Sequence, residues 1–399
     1  MTAYSVSWRE SEKEISAQLW QTCFAPPVEG RFWYEALEKS HLESQFKFAY
    51  AVILKDGAEV GIMPTFLMDV PIELVAPPEA AKIIRVVGGI LPSLLYQRTL
   101  FIGSPCSDEG TVGLLPGIKF ACLAPSLQAA VEQRAAKLKA PMIVWKDFPD
   151  SYSDDLKNLS RQAGMFVLTS YPGTMLELPD RNKQTYFAQL KGSRRHNLKK
   201  KLKRSGQNFR ADVEVYCKPD STVLDEAFAL FWQTYEKGTT KFEKLNREFF
   251  SHVAKNELAY FIVVRNAQDN KMVAFMLCFN LGERVINKFI GIDYRLPGDW
   301  FLYFRLWDAA LDWVLTTSAR EFQSGQTGYR AKIDVGNSLV ALTNYCKHRN
   351  PIIHKIFALA TRDVSWRTLD DDLAVFLKAH PPEPPEPPDP KLPPAVPTK

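Results

Sequence analysis

The chain has 399 residues, 46% hydrophobic and 12% aromatic, with 50 Lys and Arg against 45 Asp and Glu for a formal charge of +5. That is enough apolar bulk for two or three domain cores, and it excludes a disordered chain. No run of about 18 apolar residues occurs, the N-terminus lacks the order of a secretory signal, and no His/Cys cluster or C-x-x-C pair is present, so the expectation is a cytoplasmic protein with no integral membrane segment, disulfide framework or metal.

In chain order, Ile15–Gln21 and Phe32–Lys39 have helical spacing. Phe46–Leu54 and Val60–Met68 are apolar runs on either side of a Lys-Asp-Gly-Ala turn and predict a hairpin. Leu100–Gly103 is a short strand, Pro125–Leu138 an amphipathic helix with proline near its start, Pro141–Trp145 a strand, and Asp154–Ala163 a helix. Met165–Leu168 and Gly173–Leu178 are strands. The second half repeats the plan, with a helix over Leu224–Tyr235 and strands over Leu258–Val264, Met272–Phe279 and Val285–Ile292. A helix over Trp300–Thr317, a strand over Glu321–Ser324 and a helix over Asn337–Cys346 complete it.

The expected fold is therefore α/β (strictly α+β), with mixed sheets flanked by helices. Two domains are expected at 1–180 and 211–378, joined by a linking helix over 181–210. The remainder, 379–399, reads as a disordered proline-rich tail: ten of the 27 prolines lie in 381–399.

The linker is the most unusual stretch. Residues 191–210 hold nine Lys and Arg and no acid. Without them 41 basic residues face 45 acidic ones, so the positive balance of the chain resides in this one segment. Leu190, Leu198 and Leu202 share a helical stripe, and Arg194 falls on it, where it calls for a carboxylate, a carbonyl or a phosphate. Arg195 extends the basic face. Two readings fit the run: an anion-binding helix, or a solvated helix whose charges are met by acids elsewhere in the fold.

The basic helix LKGSRRHNLKKKLKR, the stretch Phe289-Ile-Gly-Ile-Asp-Tyr294, the long helix after it and the run Phe322–Lys332 together resemble the FemAB/CelD-like branch of the GNAT acyltransferase superfamily. The resemblance implies two tandem GNAT-like domains and the transfer of an acyl group to an amine or hydroxyl. The implied acceptor is a small molecule or a cell-envelope precursor. The implied donor is acyl-CoA or, in the aminoacyl alternative, an aminoacyl-tRNA. A third reading is a non-catalytic GNAT-like protein that binds an anionic partner.

Residue by residue, the resemblance sets Gly291 at the mouth of the donor cleft. Asp293 is the base, Tyr294 an acid or positioning group, and Lys332 stabilises an oxyanion or a phosphate. Tyr345, on the expected last helix, is placed to protonate the leaving group. Arg194, Arg195, Arg295, Gly298, Tyr303 and Gln326 are placed against the donor. The loop Arg295-Leu-Pro-Gly-Asp-Trp300 departs from the usual pyrophosphate loop, because Pro297 removes an N–H and Asp299 adds a negative charge. Asp293 equally suits a turn role, and Lys332 equally suits a surface position. The first-half loop Gly103–Gly110 carries two acids, so that half is expected to serve acceptor recognition or scaffolding.

Overall fold

The computed structural model describes residues 4–71, 96–238 and 244–380. Nearly all of the expected tail lies outside them, as does most of 78–96, a stretch whose sequence is of mixed character and where Gly88-Gly89 would weaken a helix.

The first half runs β1 (Tyr4–Arg9), α1 (Ala17–Cys23), α2 (Arg31–Glu38), β2 (Lys47–Lys55), β3 (Ala58–Pro71), β4 (Tyr96–Ile102), β5 (Gly113–Leu114), α3 (Phe120–Lys137), β6 (Met142–Pro149), α4 (Ser153–Ala163) and β7 (Phe166–Thr169). The chain continues through β8 (Gly173–Glu177), α5 (Lys183–Gln189) and α6 (Gly192–Asn208). The second half then runs β9 (Ala211–Cys217), α7 (Ser221–Lys237), α8 (Arg247–Val253), β10 (Ala259–Asn266), β11 (Met272–Leu281), β12 (Arg284–Ile292), α9 (Leu302–Val314), β13 (Glu321–Gln323), α10 (Tyr329–Asp334), β14 (Ser338–Val340) and β15 (Leu342–His348). Three helices, α11 (Pro351–Ala360), α12 (Trp366–Leu369) and α13 (Asp371–Ala379), close the described chain.

The β2–β3 hairpin forms because Asp56 and Gly57, at φ +50° and +85°, supply the two left-handed residues that match the strand twist. In each half one parallel pair, β4·β6 or β12·β13, is bridged by a crossover helix, α3 or α9, and the other described pairs are antiparallel. Helix α3 starts at Phe120, so Pro125 is interior to it rather than near its start.

The two sheets complete each other. The first has the order β1-β2-β3-β4-β6-β15-β7, and the second β14-β8-β13-β12-β11-β10-β9. Strand β15, from the second half, lies antiparallel between β6 and β7. Strand β8, from the first half, lies antiparallel between β13 and β14. The exchange crosses both domain boundaries expected from sequence.

It also corrects the expected helix over Asn337–Cys346, which is β14 and β15. The apolar positions there have helix-compatible spacing. However, Val340, Thr343 and Tyr345 favour strands, and β8 beside β14, with β6 and β7 on either side of β15, pairs the backbone. The linking helix is likewise two helices. Leu190 is extended between α5 and α6 and packs on Gly336, where an added Cβ would lie 2.4 Å from Leu190 Cδ2. Gly206 does not stop α6, which continues to Asn208.

The halves also share a core. Trp33 of α2 packs against Phe249 of α8 at 5.6 Å and Phe279 of β11 at 5.9 Å between ring centroids, and Phe32 meets Phe279 at 5.1 Å. Burying large aromatic rings across the junction joins the halves as firmly as a domain interior.

Residues 1–170 expressed alone would leave β6 and β7 without the strand between them. No cooperative thermal transition is expected, and mixing with residues 171–380 should restore one. A cooperative melt of 1–170 by itself would show that the exchange is dispensable.

Candidate active site at the junction of the two halves

Strands β12 and β13 pair over three positions, Arg284↔Glu321 to Ile286↔Gln323, and then separate. The separation coincides with a bulge in β12. Leu277 pairs with Phe289 and Cys278 with Asn287, leaving Lys288 as the extra residue. A bulge bends its strand and re-aims the inserted side chain. Here it turns a lysine inward, and the Lys288 side chain is 0% exposed.

What Lys288 meets comes from the other half. Its amine donates to Glu29 Oε1 at 2.8 Å, to the Cys106 carbonyl at 2.7 Å and to Asp108 Oδ2 at 3.2 Å, and it lies 4.4 Å from the Trp33 ring centroid. Glu109 adds a second layer, accepting from Gln323 Nε2 at 3.4 Å and facing Arg284 Nη1 at 3.8 Å. The loop Gly103–Gly110 thus reaches across to the apex where β12 and β13 part. It is held there by the Gly110 N–H on the Asp147 carbonyl at 2.8 Å.

Burial and charge oppose each other throughout this junction. Burial lowers the proton affinity of the Lys288 amine, but the Asp108 and Glu29 carboxylates outweigh it and hold the amine above its ordinary value. Burial raises the Asp108 carboxyl against the pull of Lys288, and raises Glu109 against Arg284. Asp108 Oδ1 sits where an added Cβ on Gly325 would be 2.7 Å away, so the close approach requires a residue without a side chain at 325.

Lys332, on α10, is the opposite case. Its amine donates to the carbonyls of Gly325 at 3.2 Å and Gln326 at 2.9 Å. Burial pushes it down to about 8, and only the Asp108 carboxylate opposes that fall. A lysine so perturbed, within the field of a carboxyl that is itself raised, makes this junction the candidate site. Asn287 Oδ1 and Gln323 Oε1, at the apex, are buried without a protein partner.

Of the residues singled out in the sequence, the structure brings Lys332 and Gln326 to this junction; Gln326 donates to the Tyr171 carbonyl at 3.0 Å. It places the others elsewhere. Asp293 is clasped by Arg295 through Nε at 2.8 Å and Nη2 at 2.7 Å, and these hydrogen bonds hold its carboxyl below the usual range, a poor setting for a base. Arg295 is consumed by the same pair. Tyr294 is exposed, with the Lys237 amine 3.7 Å from its ring centroid. Gly291 serves packing, since an added Cβ would lie 2.6 Å from the backbone of Leu230 and Phe231 in α7. Tyr345 is 1% exposed in the core of the first sheet, on a strand rather than a helix, and cannot serve the second-half cleft.

Around Gly298 the Trp300 and Phe301 N–H groups turn back to the Pro297 and Gly298 carbonyls. Helix α6 packs directly on this loop: Ser205 Oγ donates to the Trp300 carbonyl at 2.6 Å, and Phe209 stacks on Trp300 at 4.5 Å. Arg194 rests over the Phe376 ring at 5.7 Å rather than on an acid. Lys201 pairs with Asp334 at 2.9 Å, and Arg204 lies 3.9 Å from Asp299. Among the described residues, Arg194, Arg195, Lys199, Lys200 and Lys203 of α6, and Lys191 and Arg210 on either side of it, have no acidic partner within ion-pair distance. Tyr303, on the first turn of α9, has a buried hydroxyl with no partner among the described residues.

Sequence reasoning missed Glu29, Asp108 and Lys288 as site residues. The available signal was Lys288 itself, a charge inside the otherwise apolar run Val-Ile-Asn-Lys-Phe-Ile-Gly-Ile.

The lowered Lys332 amine makes a signed prediction. Its folded value of about 8 lies below the value of an unfolded lysine, so the fold disfavours its charge. Lys332→Met should therefore stabilise the protein at pH 7 relative to wild type. The gain should shrink as the pH rises from about 8 to about 10.5, where the unfolded lysine also loses its proton. Denaturant titrations across that range check it.

Residues 175–361 match the family model FemAB-like, described as peptidoglycan biosynthesis/recognition. No curated protein matches the chain. Among solved structures, FemX superposes with a TM-score of 0.56 at 10% identity, covering 88% of this chain and 100% of FemX. A tandem GNAT protein from the clavulanic acid biosynthesis pathway gives 0.52 at 11% identity, covering 88% and 99%. A Bacteroides thetaiotaomicron protein of unknown function gives 0.50 at 11% identity, covering 86% and 99%. Residues 175–361 are thus similar to the FemAB-like family, and the chain has the tandem fold seen in FemX and in the tandem GNAT protein.

Proposed function

We propose that the chain transfers an acyl group directly to an amine on a cell-envelope precursor, at the junction of its two halves. The observation that carries this reading is the placement of Lys332, whose amine donates to the carbonyls of Gly325, the residue Asp108 Oδ1 approaches, and of Gln326, and whose proton affinity burial lowers to about 8. In such a transfer the acceptor amine adds to the donor carbonyl and its oxygen becomes an oxyanion. The bond from carbon to the carrier oxygen or sulfur then breaks, and the proton lost by the amine ends on that leaving atom. Asp108, with its raised proton affinity, is suited to accept the amine proton. Lys332, still mostly protonated at pH 7, is suited to donate to the oxyanion and then to the leaving atom. No covalent enzyme intermediate is required, and Cys106, whose carbonyl accepts from the Lys288 amine, is not needed as a nucleophile.

For the donor, the reading favours an aminoacyl-tRNA. The loop around Gly298 turns its N–H groups inward, and α6, with five cations lacking acidic partners within reach, packs beside it. That many cations suits a polyanion. Acyl-CoA is the second reading; it rests on the parted β12 and β13, the cleft in which a GNAT fold receives its acyl donor.

If α6 neutralises about five phosphates, tRNA affinity should fall about 10²–10³-fold between 50 and 200 mM salt, with transfer from aminoacyl-tRNA falling alongside. Transfer from acyl-CoA without tRNA would favour the second reading. No turnover with either donor would leave a binding protein.

Lys332→Met and Asp108→Asn should each lower turnover at least about 10²-fold with the fold retained. Asp293→Asn should change it little. Wild-type turnover should decline as the pH rises through about 8, where Lys332 loses its charge. Lys332→Arg should remove that decline from whatever activity it retains.

A further inference from the structure

Helix α11 carries an apolar face that points away from the protein. Ile352, Ile356 and Leu359 fall at positions i, i+4 and i+7 and are 69%, 56% and 71% exposed, with Ile353 beside them at 38%. The opposite face is seated. Phe357 is buried against the His348 ring at 6.1 Å, and the Asn350 side chain caps the helix by accepting from the Ile352 and Ile353 N–H groups. The stripe is therefore held outward by a fixed helix and is not a frayed end.

Scattered exposed apolar residues need no explanation, but a contiguous row on one helix does. The charges around it narrow the occupant. Arg349, Lys355 and Arg362 are exposed on or beside α11, and no acidic partner lies within ion-pair distance of them among the described residues. Asp363 is the one acid between residues 349 and 365. On α13, Val375 is 62% exposed, next to the Phe376 ring that supports Arg194 of the basic helix α6. At ten residues α11 is too short to cross a bilayer.

We propose that α11 is a peripheral membrane-docking element. It lays Ile352, Ile356 and Leu359 into the boundary between headgroups and acyl chains, while Arg349, Lys355 and Arg362 meet an anionic lipid surface. Such docking does not depend on the transfer reaction, and its failure would leave that reading untouched.

The test is co-sedimentation of the full chain with vesicles of phosphatidylglycerol and phosphatidylcholine, or of phosphatidylcholine alone. The protein should pellet with the anionic vesicles, and less well with the neutral ones. The double variant Ile352→Glu/Leu359→Glu alters only exposed side chains and should keep the wild-type melting temperature while losing vesicle affinity at least about tenfold. Lys355→Ala and Arg362→Ala should each weaken anionic binding about fivefold.

Three results would overturn the proposal. The first is the absence of binding to anionic vesicles, or binding equal in wild type and the double variant. The second is a concentration-dependent dimer that the double variant abolishes while vesicle binding is unchanged, which would assign the stripe to a second copy. The third is vesicle binding that appears only after residues 381–399 are deleted, which would assign it to the tail.

Discussion

The reciprocal exchange of β8 and β15 is the constraint on which the rest of the structure depends. Each sheet is completed by a strand from the opposite half, inserted between two strands of its host. Backbone groups in a sheet interior are costly to leave unpaired, so neither half can withdraw its strand without breaking the other's ladders. The halves are therefore fixed in relative position more tightly than a flexible linker would allow. A site assembled from both can be held to the tolerance that acyl transfer demands.

That rigidity makes the junction chemistry intelligible. A buried lysine with two carboxylates is weak evidence of stability, because desolvation offsets much of the attraction. What it does well is fix register. Lys288, turned inward by a bulge in the second half, binds Glu29, Asp108 and the Cys106 carbonyl of the first. It holds the Asp108 loop against Gly325, within the field of Lys332. One lysine is raised by its carboxylate neighbours and serves to hold the halves in place. The other is lowered by burial, with two backbone carbonyls and no carboxylate bound to its amine. The two environments push their proton affinities apart, as a site that must both hold and move a proton requires.

Much of this was legible in the residues, and what was not has particular causes. The β2–β3 and β10–β11 hairpins, the parallel pairs and their crossover helices could be read from periodicity and turn residues, because local chemistry determines them. The segment 337–348 could not. Its apolar spacing suits a helix, and only pairing with strands distant in sequence, β8 for β14 and β6 and β7 for β15, makes it two strands. The same long-range exchange carries β8 and β15 across the expected domain borders and places Tyr345 in the first sheet. The basic run stood out as a segment, but the break at Leu190 depends on contact with Gly336. Lys332 was identified through the family resemblance. Asp293 was assigned as a base on the same grounds, but Arg295, two residues on, holds it as a turn. Asp108 was seen only as a charge unsuited to phosphate, because nothing local shows that its loop crosses to the other half.

The central claim is that the reacting groups meet at this junction, between Asp108 and Lys332. The most direct measurement is a crystal structure with a non-hydrolysable donor mimic and acceptor bound. The account predicts the mimic's carbonyl oxygen within hydrogen-bond reach of the Lys332 amine, and the acceptor amine facing Asp108. A carbonyl lodged instead beside Asp293 and Arg295, with the junction unchanged, would contradict it.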